Sequence, residues 1–417
     1  MKVQDFTSTK LSKLSEKSKW SQDFFVHMVW LYLSLPSRYN FSTFHRYGNK
    51  SESTYRRHFS ESHDMDKFNL NLLDEHGSND IFWAYDPCYI TKSGYKTYGL
   101  DTFWSGSANC SKKGLEIGSI AAVDVKQHTA FHYKAVQTPS HKERTASLLE
   151  YYSNVLIAQK SVLQTRSCVV VADAYFSKFT FVHPLCEAGF EVISRFRNDV
   201  HLRYLYTGPQ KGRKGKNIGK GKGSGGGRPK TYDGKVDLLN LNPQYFTLCY
   251  HDEEKGETGY EAIVNAKALK RNVRVMVIHK EHKKGEPTAQ VYFSTNIHRL
   301  ATNLYVNYKL RFQQEFLFRD TKQFLGLQDC QARSKEKLDF HFNMSLTALN
   351  VAKAMTLKEN IALGKPFSMA NIKTKYTNEL LLNEAFDLFV ELTGVSPNKI
   401  KNNPRVRKLY QKGYNAA

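Results

Sequence analysis

Residues 168–197, CVVVADAYFSKFTFVHPLCEAGFEVISRFR, decide the fold class. CVVVADAYF (168–176) is a continuous apolar run of the kind found in a strand covered on both faces. Pro184 to Phe190 closes a short helix, and FEVISRFR (190–197) reads as the next strand. Upstream, IFWAYDPCYI (81–90) is another apolar run, ending on Asp86-Pro87. LEIGSIAAVDV (115–125) and AFHYKAVQT (130–138) form a hairpin around Lys126-Gln127, and a long helix over 142–162 leads back to Cys168. Three strands, a helix, a strand, a helix and a strand predict a mixed α/β layer.

The pattern changes on either side of this block. KGRKGKNIGKGKGSGGGRPK (211–230) holds eight Lys/Arg, eight Gly and no acid, so it predicts a basic loop that builds no core. It contains no G-x4-G-K-[ST] match, which rejects a nucleotide-cradling loop. VDLLNLN, QYFTLCYHD, YEAIVNAKAL, VRVMVIHK and AQVYFSTN follow with turns between them, so 198–295 is expected to be a β-rich insertion. Helices return over 300–327 and 335–360, and the basic 366–417 region is expected to fray from Pro397 onward. At the other end, residues 1–20 are polar and basic, and an apolar helix runs from Trp20 to Leu35 before Pro36. NFSTFHRYGNKSESTYRRHFS (40–60) reads as a helix, a Gly48-Asn49 break and a second helix capped by Ser51. Those are the features of a helix-turn-helix, and equally of two packed surface helices. Arg56, Arg57 and His58 on the second helix favour DNA, making 1–65 a candidate DNA-binding region.

The whole chain agrees with a polyanionic partner. Its 417 residues carry 61 Lys+Arg against 39 Asp+Glu, a formal net charge of +22, and 41% hydrophobic residues are enough for a substantial core. The longest apolar stretch, Phe24 to Leu35, is far short of the roughly 20 residues that span a bilayer. The N-terminus lacks the pattern of a signal peptide. Six scattered cysteines without metal-site or redox spacing are expected to be reduced thiols. The expectation is an intracellular protein that meets nucleic acid and no membrane.

Chemistry concentrates after the insertion. On one continuous helix, Tyr308, Arg311, Glu315 and Lys322 fall within an arc of about 60°, with Arg319 on the same side. One carboxylate ringed by cations suits a phosphodiester held beside a metal ligand. The alternative is a solvated face with an i,i+4 pair, Arg311 to Glu315 or Glu315 to Arg319. Further carboxylates come from strand ends. Asp173 follows VVVA and Asp86 follows IFWAY, although Asp173 also suits a helix cap and Asp86 a turn with Pro87. Asp124 and Asp101 compete with Asp86, the first at a hairpin end and the second in a polar stretch. Two Asp and one Glu make an all-oxygen set for Mg²⁺, with Mn²⁺ able to substitute. A pair of such ions about 3.5–4 Å apart activates an attacking oxygen and stabilises the leaving one.

The spacing Y-x2-R-x3-E-x6-K, complete as Tyr308, Arg311, Glu315 and Lys322, resembles the signature of prokaryotic insertion-sequence DDE transposases of the cut-and-paste type. The stretch from Tyr308 to Asn350 looks like that family's closing helices. ADAYFS (172–177) looks like its second catalytic strand, and AYDPCYITKSGYKTYGL (84–100) like its first. The resemblance implies a ribonuclease-H-like mixed sheet with flanking helices, 66–197 plus 296–365, interrupted by the β-rich insertion. It implies Asp86, Asp173 and Glu315 as catalytic, metal-binding residues, with Tyr308, Arg311 and Lys322 gripping the phosphate. Pro87, Cys88 and Tyr89 depart from the Thr or second acid that many relatives have after the first Asp. Relatives also carry a base-stacking Trp in the insertion. None of the four Trp here (20, 30, 83, 104) lies there, and Tyr292 and Phe293 are its nearest substitutes.

The expected function is metal-dependent cleavage and strand transfer of double-stranded DNA, transposon ends and target alike, by a homodimer in the cytoplasm at the nucleoid. End recognition is expected from the helix-turn-helix candidate with Arg56 and Arg57, a DNA contact from Arg319 beside the Glu315 stripe, and non-specific grip from Lys211, Arg213, Lys214, Lys216, Lys220, Lys222, Arg228 and Lys230. The alternatives are a domesticated DNA-binding protein without catalysis and a related nuclease without strand transfer.

Overall fold

The computed structural model describes residues 2–14, 17–208, 229–281, 285, 287–394, 403–410 and 412–414. The chain divides into two compact units, Met1–Ser147 with Arg311–Ala417, and Leu148–Leu310. Most of the basic loop, with Lys211, Arg213, Lys214, Lys216, Lys220, Lys222 and Arg228, lies outside the described residues.

The first unit is a four-stranded antiparallel sheet packed by helices. Its strands are β1 (Ile81–Thr91), β2 (Asp101–Ser105), β3 (Cys110–Asp124) and β4 (Thr129–Gln137). β1 pairs with β3 along its whole length, from Ile81 opposite Asp124 to Thr91 opposite Gly114. The apolar run therefore does not end at Asp86-Pro87. Pro87 pairs opposite Gly118 within the ladder, and Asp86 lies in mid-strand. β4 and β2 follow each other along the other edge of β3. The turn into β4 is fixed by buried Asp124, whose carboxylate accepts from the backbone N–H of Ser78, Lys126 and Gln127. Asp101 accepts from the backbone N–H of His141. Both competitors of Asp86 are thus occupied in holding turns.

Helices α1 (Val3–Leu11), α2 (Lys19–Ser34), α3 (Phe41–Tyr47), α4 (Glu52–His58) and α5 (Met65–His76) precede the sheet. α1 was not legible in the polar N-terminus; it buries Val3, Phe6 and Leu11. Asn40 and Ser51 cap α3 and α4 by accepting from the N–H of Thr43 and Thr54. The expected helix pair is present, but His58 is fully buried rather than on an exposed face, stacked on Phe24 with ring centroids 4.1 Å apart. Arg56 pairs with Glu52 and lies over Phe41, and Arg57 lies over Trp20.

After residue 310 the helices of the first unit are α10 (Phe312–Phe324), α11 (Lys335–Leu363), α12 (Met369–Thr393) and α13 (Pro404–Tyr410). The basic C-terminal region is therefore helical over much of its described length. α11 packs against α2, α5 and β4. Two of its asparagines, one heptad apart, complete the edge of β4. Asn343 accepts from Ala135 N–H (2.8 Å) and donates to Ala135 C=O (3.0 Å). Asn350 does the same at His132, at 2.9 and 2.7 Å. Buried edge groups that lack a strand partner are satisfied by side-chain amides.

The second unit holds α6 (Leu148–Ile157), α7 (Lys160–Leu163), β5 (Val169–Ala172), α8 (Phe179–Glu187), β6 (Glu191–Phe196), β7 (Leu202–Leu205), β8 (Tyr232–Lys235), β9 (Thr247–Asp252), β10 (Glu257–Ala266), β11 (Arg271–Lys280), β12 (Thr288–Ser294) and α9 (Ala301–Leu310). β5 and β6 pair in parallel across α8, as the apolar runs predict. The strand over 168–176 is shorter than expected, because Ala174–Phe176 turn into a 3-10 helix. The helix expected over 142–162 begins at Leu148 and is interrupted before Lys160. The insertion strands join the same sheet, in the order β5-β6-β12-β11-β10-β7-β8, with β9 beside β10. VDLLNLN is not a strand, and Leu239 within it is 52% exposed.

Candidate functional site

The helix expected over 300–327 is broken at Arg311, between α9 and α10 and at the boundary of the two units. Tyr308 belongs to the second unit, whereas Arg311, Glu315, Arg319 and Lys322 belong to the first. The single continuous stripe is therefore corrected to two groups.

In the first unit, Asp86 and Glu315 are brought to one guanidinium. Arg311, 8% exposed, places Nη1 3.9 Å from an Asp86 oxygen and Nη2 2.8 Å from Glu315 Oε1. The side chain next to Glu315 fixes this register. Gln314 is fully buried and donates from Nε2 to the carbonyl of Ser119 at 2.6 Å, and Ser119 is the residue opposite Asp86 in the β1–β3 ladder. Gln314 thus ties α10 to the strand pair at the level of Asp86. It was missed in the sequence, where its only signal was an amide beside the carboxylate on a helix meeting a sheet. Lys322 donates to the carbonyl of Tyr89 (3.0 Å), beyond Cys88 on the same strand. Burial pushes the Cys88 thiol up to about 11, against the opposing pull of Lys322. Arg319 does not join the group. It pairs with Asp320 at 2.9 Å and lies over Phe316.

In the second unit, Asp173 follows β5 and caps the 3-10 turn, accepting from Ala174 N–H at 2.6 Å. The Tyr308 hydroxyl also donates to Asp173 Oδ1 at 3.0 Å. Ser194, buried on β6, donates to the Asp173 carbonyl (3.0 Å) and fixes the backbone. The Tyr308 ring is positioned by Tyr292, with centroids 5.2 Å apart, and Tyr292 in turn meets Tyr305 at 5.1 Å. Tyr305 donates to buried Glu257, which Lys280 pairs at 2.7 Å. Tyr292 and Phe293 are 3% and 0% exposed, so neither offers a free face for a base. Lys230, the described end of the basic loop, pairs with Asp233 and lies over Tyr206.

Among the described residues, no three His, Cys, Asp or Glu side chains converge as a metal cluster. Asp86 and Glu315 nonetheless have the chemistry of hard-cation ligands, two carboxylates drawn to one positive charge. Among the described residues, no helix is long and apolar enough to cross a membrane.

Among solved structures, the chain is similar to a piggyBac transposase in its synaptic complex with hairpin DNA, determined by cryo-EM. The two are 10% identical over 92% of this chain and 78% of that one, with a TM-score of 0.40. No curated protein matches the chain. A family model described as the transposase DDE domain matches residues 119–351, more than half of the sequence. That match begins after Asp86 and takes in Asp173, Tyr308, Arg311, Glu315 and Lys322. By it, the chain belongs to the transposase DDE domain family.

Proposed function

We propose that the protein is a DNA transposase of the prokaryotic insertion-sequence type, which binds the terminal inverted repeats of its own element and moves it by cleavage and strand transfer. The observation that carries the reading is Arg311 holding Asp86 and Glu315 together, on a chain that the family match covers from Ser119 to Val351. Asp86, Glu315 and Asp173 would hold Mg²⁺ or Mn²⁺ within a ribonuclease-H-like catalytic fold. Such ions, when bound, polarise phosphate oxygens and make water or a 3′-hydroxyl a better nucleophile. The chain's own groups would do the rest. Arg311 balances the two carboxylates before DNA arrives, and Lys322 faces the phosphate charge. Tyr308 holds the orientation of the Asp173 carboxylate through its hydroxyl. A homodimer would bring two ends together, in the cytoplasm at the nucleoid, and the N-terminal helices would contribute Arg56 and Arg57 to end binding.

The test uses DNA flanking the gene that carries short inverted repeats, mixed with a target plasmid and Mg²⁺. The expected products are 3′-hydroxyl ends joined to the plasmid. Cleavage without joining would reduce the protein to a nuclease, and binding without cleavage would leave a DNA-binding protein only.

A further inference from the structure

The β2–β3 hairpin carries a surface that the catalytic reading does not use. Its outer part, Thr102 to Lys113, pairs only within itself in the ladder. Thr102 lies opposite Lys113, Phe103 opposite Lys112, and Trp104 opposite Ser111. Alternation along the strands puts Thr102, Trp104, Ser111 and Lys113 on one face. Phe103 points the other way and is 5% exposed, whereas Trp104 is 59% exposed. Lys113 lies over the ring of Tyr95, 4.8 Å from its centroid, and Tyr95 is 93% exposed. One face thus presents Trp104 and Lys113, with the Lys113 ammonium over the exposed Tyr95 ring. Both rings leave most of their surface in water, where an apolar body with a polar handle is suited to meeting a partner.

The charge around the rings selects the partner. Lys92, Lys96, Lys112 and Lys113 are opposed between residues 92 and 115 by Asp101 alone, and Asp101 is already engaged by His141. The foot of the hairpin is held firmly. Lys92 donates to the carbonyls of Cys330 and Ala332, and Tyr98 N–H to that of Arg333. The tip, SGSAN (105–109), is made of small residues that allow a close backbone approach. A basic ribbon with exposed aromatic rings fits a nucleic-acid strand, with lysines on phosphates and rings on base faces.

We infer that this ribbon is a second DNA-binding surface, which takes a strand whose bases have left the duplex stack, with Trp104 and Tyr95 as its stacking platforms. The inference rests on the proposed transposase function, where unpaired strand ends arise at cleaved DNA. Its test measures binding of the full chain to three fluorescent probes of one sequence: a single strand, a blunt duplex, and a duplex with an unpaired 3′ overhang. Trp104→Ala should weaken the single strand and the overhang about 5- to 150-fold, the range expected for losing one stacked base. Blunt-duplex affinity and the melting temperature should stay unchanged, and Trp104→Phe should restore most of the loss. Lys112→Ala with Lys113→Ala should flatten the log–log salt dependence on the single strand by about 1.4. If Trp104→Ala leaves single-strand binding unchanged while the parent chain binds all three probes, the ribbon inference is wrong and the transposase reading stands. If the parent chain binds none of them, both fall.

Discussion

In the first unit, two carboxylates face one buried guanidinium, and an amide at Gln314 fixes their register. In the second, one carboxylate is held by a backbone N–H and a phenol, and the phenol is braced by a stack of tyrosines. The first arrangement is electrostatic and the second is mostly neutral. The lesson is that acids proposed for one reaction need not be supported alike. Charge pairing leaves Asp86 and Glu315 able to exchange their cation, while neutral hydrogen bonds keep Asp173 in one orientation whatever its charge partner.

The widest separation between the units should appear with acid. The first unit buries His27, His132 and His341, held down to about 4, 3 and 4 chiefly by burial. Their folded values lie below the unfolded 6.5, so the unfolded chain binds more protons and stability is lost as pH falls below 6.5. At pH 5 each should cost about 2 kcal/mol relative to neutral pH. Denaturant midpoints between pH 7 and 5 check this, and His132→Asn should remove one histidine's share of the slope. A midpoint independent of pH over that range contradicts it.

Arg311→Ala leaves two facing carboxylates without their guanidinium. Cleavage by this variant should fall about 10²-fold, as for loss of a preorganised electrostatic group. Gln314→Ala removes the tie between α10 and Ser119 and should lower stability by about 1–3 kcal/mol, the cost of stranding a buried carbonyl. It should also reduce cleavage while leaving DNA affinity intact, and a variant that loses stability alone would restrict Gln314 to packing. Tyr308→Phe keeps the ring stack and deletes one hydrogen bond to Asp173. Its expected effect is the smallest, about tenfold in cleavage rate, corresponding to a bond of roughly 1–1.5 kcal/mol.

Much of this was legible in the sequence because it rests on local pattern. The Val-rich run before Asp173 gave β5, the Lys126-Gln127 turn separated β3 from β4, and Ser51 announced α4. The spacing of Tyr308, Arg311, Glu315 and Lys322 was legible as a motif, and all four fall within the stretch that the family match covers. What stayed hidden depends on tertiary partners. The break at Arg311 has no Gly or Pro to betray it, and Arg311 itself keeps helical angles. β1 runs through Pro87 because its pairing with β3 continues from Ile81 to Thr91, a fact of register. His58 looks like a surface cation on its helix and is buried because the rings of Trp20 and Phe24 pack against it. Asn343 and Asn350 read as ordinary helix residues until β4 is seen beside them.

The central claim is that Asp86, Asp173 and Glu315 act as one metal-dependent catalytic set. Asp86→Asn, Asp173→Asn and Glu315→Gln are each near-isosteric, and each should be compared with the parent chain for Mg²⁺-dependent strand cleavage of DNA carrying the inverted repeats. Every one of the three is expected to abolish cleavage while DNA binding persists. Cleavage that survives any one of the three substitutions would contradict a single catalytic set.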